Sequence, residues 1–319
     1  MSFPGFIPVS TYLTLPRGPE TWLIEPLIPA SGKGLLYSPP KVGKSALAIQ
    51  LAEAVATGTD WMGFPVGQPG KVLYLQLDTP GTTWALRFDA LRKFGLKLPD
   101  EKILLADMTT LEKFPFDILQ PGHVHYLHSI IQPHRPVLVI IDTIRKLHSG
   151  DENSSTVMSN VMTNLVSACH PAAVLVISHD KKPSPDMDKD IMADHRGSTA
   201  VVGEMDAILR LTKSRLYYAG RNIEEGSIKM IRQDCDDALL WMPDPDEYRA
   251  AIDSILNNDD LVGDRAKARA LAPLIGKSPE AARSILRRAG YRLAVPKGVE
   301  EHPVENRQEE QLARWFQQT

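Results

Sequence analysis

Three consecutive residues, Gly43, Lys44 and Ser45, have the types and the order that a phosphate-binding loop requires. A bound triphosphate needs inward-pointing backbone amides, the amino end of a helix, a lysine ammonium and a hydroxyl for magnesium. Ser38 stands where the pattern G-x-x-x-x-G-K-[ST] has its first glycine. We expect ATP and Mg²⁺ to bind along residues 38 to 46, which are Ser38, Pro39, Pro40, Lys41, Val42, Gly43, Lys44, Ser45 and Ala46.

Three further polar residues follow apolar runs that are typical of buried strands. Asp142 comes directly after VLVII and is predicted to ligate magnesium together with Ser45. Asp78 ends KVLYLQLD and could activate the attacking water, although an aspartate before T-P-G could equally cap a turn. His179 ends AAVLVISH and could bond the γ-phosphate, although a histidine at a strand end is often structural.

The elements that must position these residues alternate between strand and helix. GLLY, KVLYLQL, VLVIIDTI and AAVLVIS are predicted strands, and KSALAIQLAEAVATG, TTWALRFDALRKFG and SSTVMSNVMTNLVSACH are predicted helices. Such alternation predicts an α/β fold with a mainly parallel sheet, whose carboxyl edge is where ligands bind. The later segments DAILRLT, RLYYAG, SIKMIRQ and ALLWM lack intervening helices, so we expect antiparallel strands that extend the sheet.

The segments on either side of this core have a different character. Residues 1–30 contain six prolines and no lasting period, which predicts an extended N-terminal arm anchored by Trp22, Leu23 and Ile24. Residues 31–243 are the predicted ATPase core, and residues 244–319 the predicted C-terminal helical domain. In that domain ARALAPLIG and SPEAARSILRRAG suggest a helix-turn-helix, or alternatively a small bundle that docks a partner.

Six stretches of the chain resemble the RepA-type ATPases of plasmids and phages, which belong to the RecA superfamily. They are TWLIEPLIPASGKGLLYSPPKVGKSALAIQLAEAVATG, KVLYLQLD, VLVIIDTI, VLVISHDKK, HRGSTAVVGEMDAILRL and GRNIEE. The resemblance implies a RecA-like P-loop core, a hexameric ring, a water-activating acid at Asp78 and a γ-phosphate sensor at His179. Serine at position 38 and aspartate at position 78 depart from the family's glycine and glutamate, which indicates slower hydrolysis.

Ring ATPases of this kind complete each site with a basic residue from the neighbouring subunit, which stabilises charge on the transferred phosphoryl group. The candidates are Arg221 in YYAGRNIEE and Arg210 in AILRLTK, each of which could instead be an ordinary sheet residue. We favour Arg221, because GRNIEE matches a recurring pattern of the family.

Single-stranded DNA is the expected partner, and two loops are the expected contacts. IRKLHSGDENSS and DKKPSPDMDKDIMADHRGS follow the Asp142 and His179 strands, where DNA-binding loops line the pore of RecA-like rings. Their basic residues are Arg145, Lys146, Lys181, Lys182, Lys189 and Arg196. The acidic residues between them, and the lack of aromatic residues for base stacking, predict a modest contact.

The composition is that of an ordinary globular protein of 319 residues, with 43% hydrophobic and 24% charged residues. A net charge of -3 excludes a polycationic nucleic-acid binder. We expect a cytoplasmic protein, because no leader or membrane-spanning apolar run is visible.

The combined pattern predicts an ATP-dependent, ring-forming DNA motor, namely a RepA-like replicative helicase. Two alternatives keep the fold. One is a RecA-like recombinase or accessory ATPase that forms filaments or uses ATP as a switch. The other is a regulator whose C-terminal helices bind duplex DNA while the core only oligomerises.

Overall fold

The computed structural model describes residues 7–14, 22–112, 115–179, 199–221, 223–235, 237–244, 248–258, 260–275 and 279–288. The strands are β1 (Trp22–Ile24), β2 (Ile28–Pro29), β3 (Lys33–Ser38), β4 (Val72–Gln76), β5 (Ile103–Asp107), β6 (Leu138–Asp142), β7 (Ala173–His179), β8 (Ala207–Leu211), β9 (Arg215–Gly220), β10 (Ile223–Cys235) and β11 (Ala238–Pro243). The helices are α1 (Val9–Thr14), α2 (Lys44–Thr57), α3 (Gly81–Lys93), α4 (Pro121–Ile131), α5 (Ser155–Cys169), α6 (Thr199–Glu204), α7 (Arg249–Leu256), α8 (Asp264–Ile275) and α9 (Pro279–Arg288).

Nine strands form one sheet in the order β11-β10-β9-β8-β3-β7-β6-β4-β5. The six strands from β8 to β5 are mutually parallel, whereas β9, β10 and β11 add antiparallel strands at one side. The predicted α/β fold, with a mainly parallel sheet extended by an antiparallel meander, is therefore confirmed. The sequence patterns did not reveal β5 and α4, because β5 lies at the sheet edge and leaves Leu105 49% exposed instead of presenting a fully buried run.

The sheet is buried on both faces by helices. Alternate residues of β3 enter different cores: Leu36 packs with α2 and α3, whereas Leu35 and Tyr37 pack on the side of α4 and α5. This follows from the two-residue period of a strand, which sends successive side chains to opposite faces. The first core also takes in residues of β9, β10 and β11, so the meander continues the same layer.

The N-terminal segment differs in part from the prediction. Leu23 and Ile24 are fully buried in β1, which pairs with β2 as a short antiparallel hairpin, so this anchor is confirmed. Residues Val9–Thr14 form a helix, so the expectation of an extended arm is wrong there. Local helix formation in a six-residue stretch leaves no periodic signal long enough to detect from sequence.

Helices α7, α8 and α9 have a hydrophobic cluster of their own. It is built from Ile252, Ile255, Ala268, Leu271, Ala272, Ala282, Ile285 and Leu286. Pro279 opens α9, a position at which the missing amide hydrogen has no helical partner to lose. The predicted helical character of this part is confirmed, whereas the domain limits and the helix-turn-helix assignment stay predictions. Across the described ranges, no helix has an apolar stretch that could cross a bilayer.

Candidate nucleotide-binding site

The carboxyl ends of four parallel strands bring the predicted site residues to one edge of the sheet. Ser38 at the end of β3 lies opposite His179 at the end of β7. Gln76 at the end of β4 lies opposite Asp142 at the end of β6, and Asp78 follows β4 two residues later. Since ligands of open α/β sheets bind at this edge, the register places all five polar residues where a nucleotide would meet them.

The loop between β3 and α2 accommodates serine at its first position. Ser38 is fully buried, and its Oγ donates to the carbonyl of Pro39 at 2.8 Å. The turn is made further along, where Lys41 and Gly43 have φ angles of 63° and 112°. No side chain caps the amino end of α2, so amides of its first turn remain for an anion.

Lys44 is buried, and oxygen atoms of its own loop surround its ammonium group. Nζ donates to the carbonyl and to Oγ of Ser38, both at 3.2 Å, and lies 3.5 Å from the carbonyl of Pro39. It also lies 3.2 Å from Nδ1 of His179. The hydroxyl of Ser38 thus contributes a contact to Lys44 that a glycine could not make, and the ammonium is held at the strand exit where phosphates would bind.

Asp142 forms the centre of an oxygen-rich cluster with Ser45 and Tyr74. The phenol of Tyr74 donates to Oδ2 of Asp142 at 2.9 Å, and Ser45 also hydrogen-bonds to this carboxylate. Burial raises the pKa of Asp142, and the hydrogen bonds from Ser45 and Tyr74 and the charge of Lys44 oppose that rise. A carboxylate beside a hydroxyl is the hard oxygen donor set that Mg²⁺ prefers, so these residues fit the ion.

Asp78 lies at the solvent-exposed rim of the same edge. Its backbone amide donates to Oε1 of the buried Gln76 at 2.7 Å, which fixes the turn after β4. The carboxylate of Asp78 forms a long ion pair of 3.9 Å with Nζ of Lys146. No side-chain hydrogen bond caps the amino end of α3, and the Asp78 side chain faces the solvent that would supply an attacking water.

His179 is poised to act as a hydrogen-bond acceptor towards Lys44. Partial burial and, next, the positive charge of Lys44 lower the pKa of its imidazole, while the carboxylates of Asp78 and Asp142 act in the opposite direction. A neutral imidazole has one acceptor nitrogen, and contact with an ammonium requires Nδ1 to be that acceptor. The contact joins the end of β7 to the phosphate-binding loop.

A family model described as an AAA domain matches residues 8–185, which is more than half of the chain. The chain belongs to the AAA domain family. Proteins of this family are P-loop ATPases, which bind ATP, usually with Mg²⁺. The crystal structure of the KaiC-like protein PH0186 from the hyperthermophilic archaeon Pyrococcus horikoshii OT3 aligns with a TM-score of 0.45 and 13% identity, covering 69% of this chain and 94% of that chain.

The two arginine candidates of this AAA domain protein lie in different environments. Arg210 in β8 is only 3% exposed, so its guanidinium is buried in its own subunit and is not placed to reach a neighbour. Arg221 is exposed, and its side chain donates to the carbonyl of Gly203 at 2.8 Å. Because β9 runs antiparallel to β8 and Gly220 pairs with Ala207, Arg221 lies at the sheet edge opposite to Lys44. Exposure thus favours Arg221 over Arg210 for action on the site of another subunit, and this role stays a prediction.

The DNA-binding candidates are divided between described and undescribed parts of the chain. Arg145 and Lys146 occupy a short 3-10 helix directly after β6, and both are exposed. Arg145 lies 3.7 Å from Glu152, and Lys146 lies 3.9 Å from Asp78. The candidates Lys181, Lys182, Lys189 and Arg196 lie outside the described residues.

Several residues of the site carried no signal in the sequence. Tyr74 lies within an apolar strand, and only the register of β4 with β6 shows that its hydroxyl reaches Asp142. Trp241 of β11 lies against the loop, since a methyl group on Gly43 would approach its Nε1 to 2.9 Å. Both residues reach the site through long-range packing, which local periodicity cannot show.

Proposed function

We propose that this AAA domain protein is an ATP-dependent, ring-forming motor that moves on single-stranded DNA, as a RepA-type replicative helicase does. Each subunit would bind Mg²⁺ and ATP at the edge formed by Lys44, Ser45 and Asp142. Asp78 would orient the water, and His179 would contact the γ-phosphate. Arg221 would enter the site of the next subunit, and a hexameric ring in the cytoplasm is the expected assembly.

One observation carries the proposal: the exposed lysine of a predicted DNA loop lies against the predicted water-activating acid. Lys146 and Asp78 are 3.9 Å apart, and both side chains are about half exposed, at 51% and 43%. An exposed ion pair of this length is worth at most about 1 kcal/mol, so a DNA phosphate can compete for the lysine. Drawing Lys146 away would leave the carboxylate of Asp78 to accept a proton from water, which would couple DNA binding to hydrolysis.

The test is ATP turnover and unwinding of a forked DNA substrate. We expect single-stranded DNA to stimulate turnover, and we expect Lys44→Ala to abolish both activities. Lys93→Ala is the matched control, because Lys93 lies on α3 and forms an exposed pair with Asp89. Lys146→Ala should raise ATP turnover in the absence of DNA and reduce the further increase that DNA causes. Turnover that is indifferent to DNA and to Lys44→Ala would refute the proposal.

The second candidate, a filament-forming or switch-like ATPase, is favoured by a specific feature of the site. Asp78 is one methylene shorter than the glutamate of the RepA-type family and lies at the exposed rim, which favours slow hydrolysis. Electron microscopy with single-stranded DNA and a slowly hydrolysed ATP analogue separates the two. Closed rings support the helicase, and helical filaments support the alternative.

A further inference from the structure

The hydroxyl of Tyr74 contacts Asp142, the carboxylate predicted to ligate magnesium. Tyr74 sits at the centre of β4 with 1% of its surface exposed. Its phenol donates to Oδ2 of Asp142 at 2.9 Å. Ser45 hydrogen-bonds to the same carboxylate, so Asp142 is held between the hydroxyls of two different elements.

An aromatic column keeps the phenol in place. The ring of Tyr74 packs against Trp84 of α3 with centroids 5.1 Å apart, and Trp84 packs against Phe88 at 5.3 Å. Arg87 covers Trp84 with its guanidinium carbon 5.8 Å from the ring centroid. Because Trp84 is itself buried, the column leaves the hydroxyl of Tyr74 little freedom to turn away from Asp142.

The hydrogen bond has a fixed direction. A tyrosine hydroxyl has one donor hydrogen, and the hydroxyl oxygen of Tyr74 lies 2.9 Å from Oδ2 of Asp142. The phenol therefore donates, and the carboxylate accepts. A carboxylate has about four lone-pair directions, so the bond from Tyr74 occupies one and orients the others.

We propose that Tyr74 is a positioning residue that holds Asp142 in the rotamer needed to bind Mg²⁺ beside Ser45. This inference rests on the proposed ATP site, and it adds a residue that acts on the metal through the carboxylate. Partners that orient a metal ligand typically change metal affinity by about 10- to 100-fold when they are removed.

The test variant is Tyr74→Phe, which keeps the ring in the aromatic column and removes only the donor. A fluorescent ATP analogue is titrated with Mg²⁺, and Mn²⁺ bound in the presence of ATP is measured by electron paramagnetic resonance. We expect the Mg²⁺ midpoint and the Mn²⁺ dissociation constant to rise by about tenfold. Binding of the analogue without metal should not change. Neither measurement requires hydrolysis or DNA, so the result stands apart from the proposed motor function.

Tyr218→Phe is the matched control. Tyr218 is 8% exposed in β9 and packs edge-on against Phe64 at 5.4 Å, but it lies several strands from Asp142. Its replacement should leave the metal midpoint unchanged. A shift of less than twofold in Tyr74→Phe would overturn the inference, as would an equal loss of nucleotide binding without metal.

A double-mutant comparison tests whether Tyr74 acts through Asp142. In the Asp142→Asn background, adding Tyr74→Phe should produce no further shift in the Mg²⁺ midpoint. The carboxylate that the hydroxyl of Tyr74 orients is absent from that background. A second shift of the same size in that background would show an independent effect and overturn the inference. Thermal unfolding of each variant identifies any change that comes from loss of structure.

Discussion

At the scale of single residues, contacts within the chain hold the charged groups at the strand edge. Lys44 has three protein oxygens near its ammonium, and Asp142 has two hydroxyls near its carboxylate. Bound phosphate and metal would compete with these contacts. Single substitutions should therefore change the stability of the loop and its affinity for nucleotide by different amounts.

Gly43→Ala should destabilise the protein and weaken nucleotide binding. The φ angle of Gly43 is 112°, and an added methyl group would come within 2.9 Å of both Leu239 and Trp241. A left-handed backbone alone costs a residue with a side chain about 1 to 2 kcal/mol. Urea unfolding and calorimetry with ATP measure the two effects.

The matched control is Gly122→Ala in α4, where an added methyl group would meet no atom within 4 Å. Alanine is favoured over glycine in a helix by about 0.5 to 1 kcal/mol, so this variant should be neutral or slightly stabilised. Equal unfolding midpoints for the two variants would contradict the predicted strain at Gly43.

His179→Gln should change how stability depends on pH. Since the pKa of His179 is lowered in the folded protein, the unfolded chain binds a proton first as the pH falls below the ordinary value of 6.5. The free energy of unfolding of the wild-type protein therefore falls as the pH falls below 6.5. The His179→Gln variant should lose less, because glutamine does not titrate. Urea unfolding of both proteins at pH 7.5 and pH 5.5 checks this, and parallel losses would contradict it.

At the scale of elements, β11 connects the antiparallel meander to the helix that begins at the phosphate-binding loop. Gln50 of α2 donates through Nε2 to the carbonyl of Trp241 at 2.9 Å and accepts from its amide at 3.0 Å. The indole Nε1 of Trp241 is buried and has no hydrogen-bond partner in the described part of the chain. The meander therefore supports the loop from the side.

Gln50→Leu should cost about 1 to 3 kcal/mol of unfolding free energy, because it leaves a backbone donor and a backbone acceptor of Trp241 unpaired. The nucleotide dissociation constant should rise as well, since β11 packs against Gly43. Gln132→Leu is the control. The hydrogen bond from the Gln132 side chain to the carbonyl of His170 is exposed, so its loss should change the free energy of unfolding by no more than about 0.5 kcal/mol. Similar losses in both variants would argue against a supporting role for β11.

At the scale of the whole molecule, the residues proposed to form one site lie at opposite edges of the sheet. The edge with Lys44 holds the groups proposed to bind phosphate, and the opposite edge holds Arg221. A head-to-tail contact between copies joins unlike surfaces and closes into a ring when the rotation permits. The proposed assembly thus requires Arg221 to act only between subunits.

Mixing two inactive variants tests this division. Arg221→Ala should bind nucleotide normally but hydrolyse it slowly, whereas Lys44→Ala should fail to bind. In an equal mixture, about a quarter of the subunit contacts would combine an intact Lys44 with an intact Arg221, and turnover should partly recover. Turnover of the mixture equal to the mean of the two variants would contradict action between subunits. Arg232→Ala is a suitable control, because Arg232 forms an exposed pair with Asp234 on the same strand.

The sequence alone determined the α/β class, the phosphate-binding loop and the strands that end in Asp142 and His179, because each of these has a local pattern of a few residues. It also located α2, which ends at Thr57 and is capped by Gly58, the residue at which the pattern predicted its end. It missed α1, β5 and α4, whose patterns are short or partly exposed. Confirmation of ATPase membership came from the family match, and the roles of individual site residues stay predictions.

Only the tertiary structure decided which distant residues meet. The pairing of Tyr74 with Asp142, the approach of Trp241 to Gly43 and the opposite placement of Arg221 and Lys44 depend on strand order and register. These are set by packing between segments far apart in the chain, whereas sequence periodicity reports only which face of its own element a residue occupies.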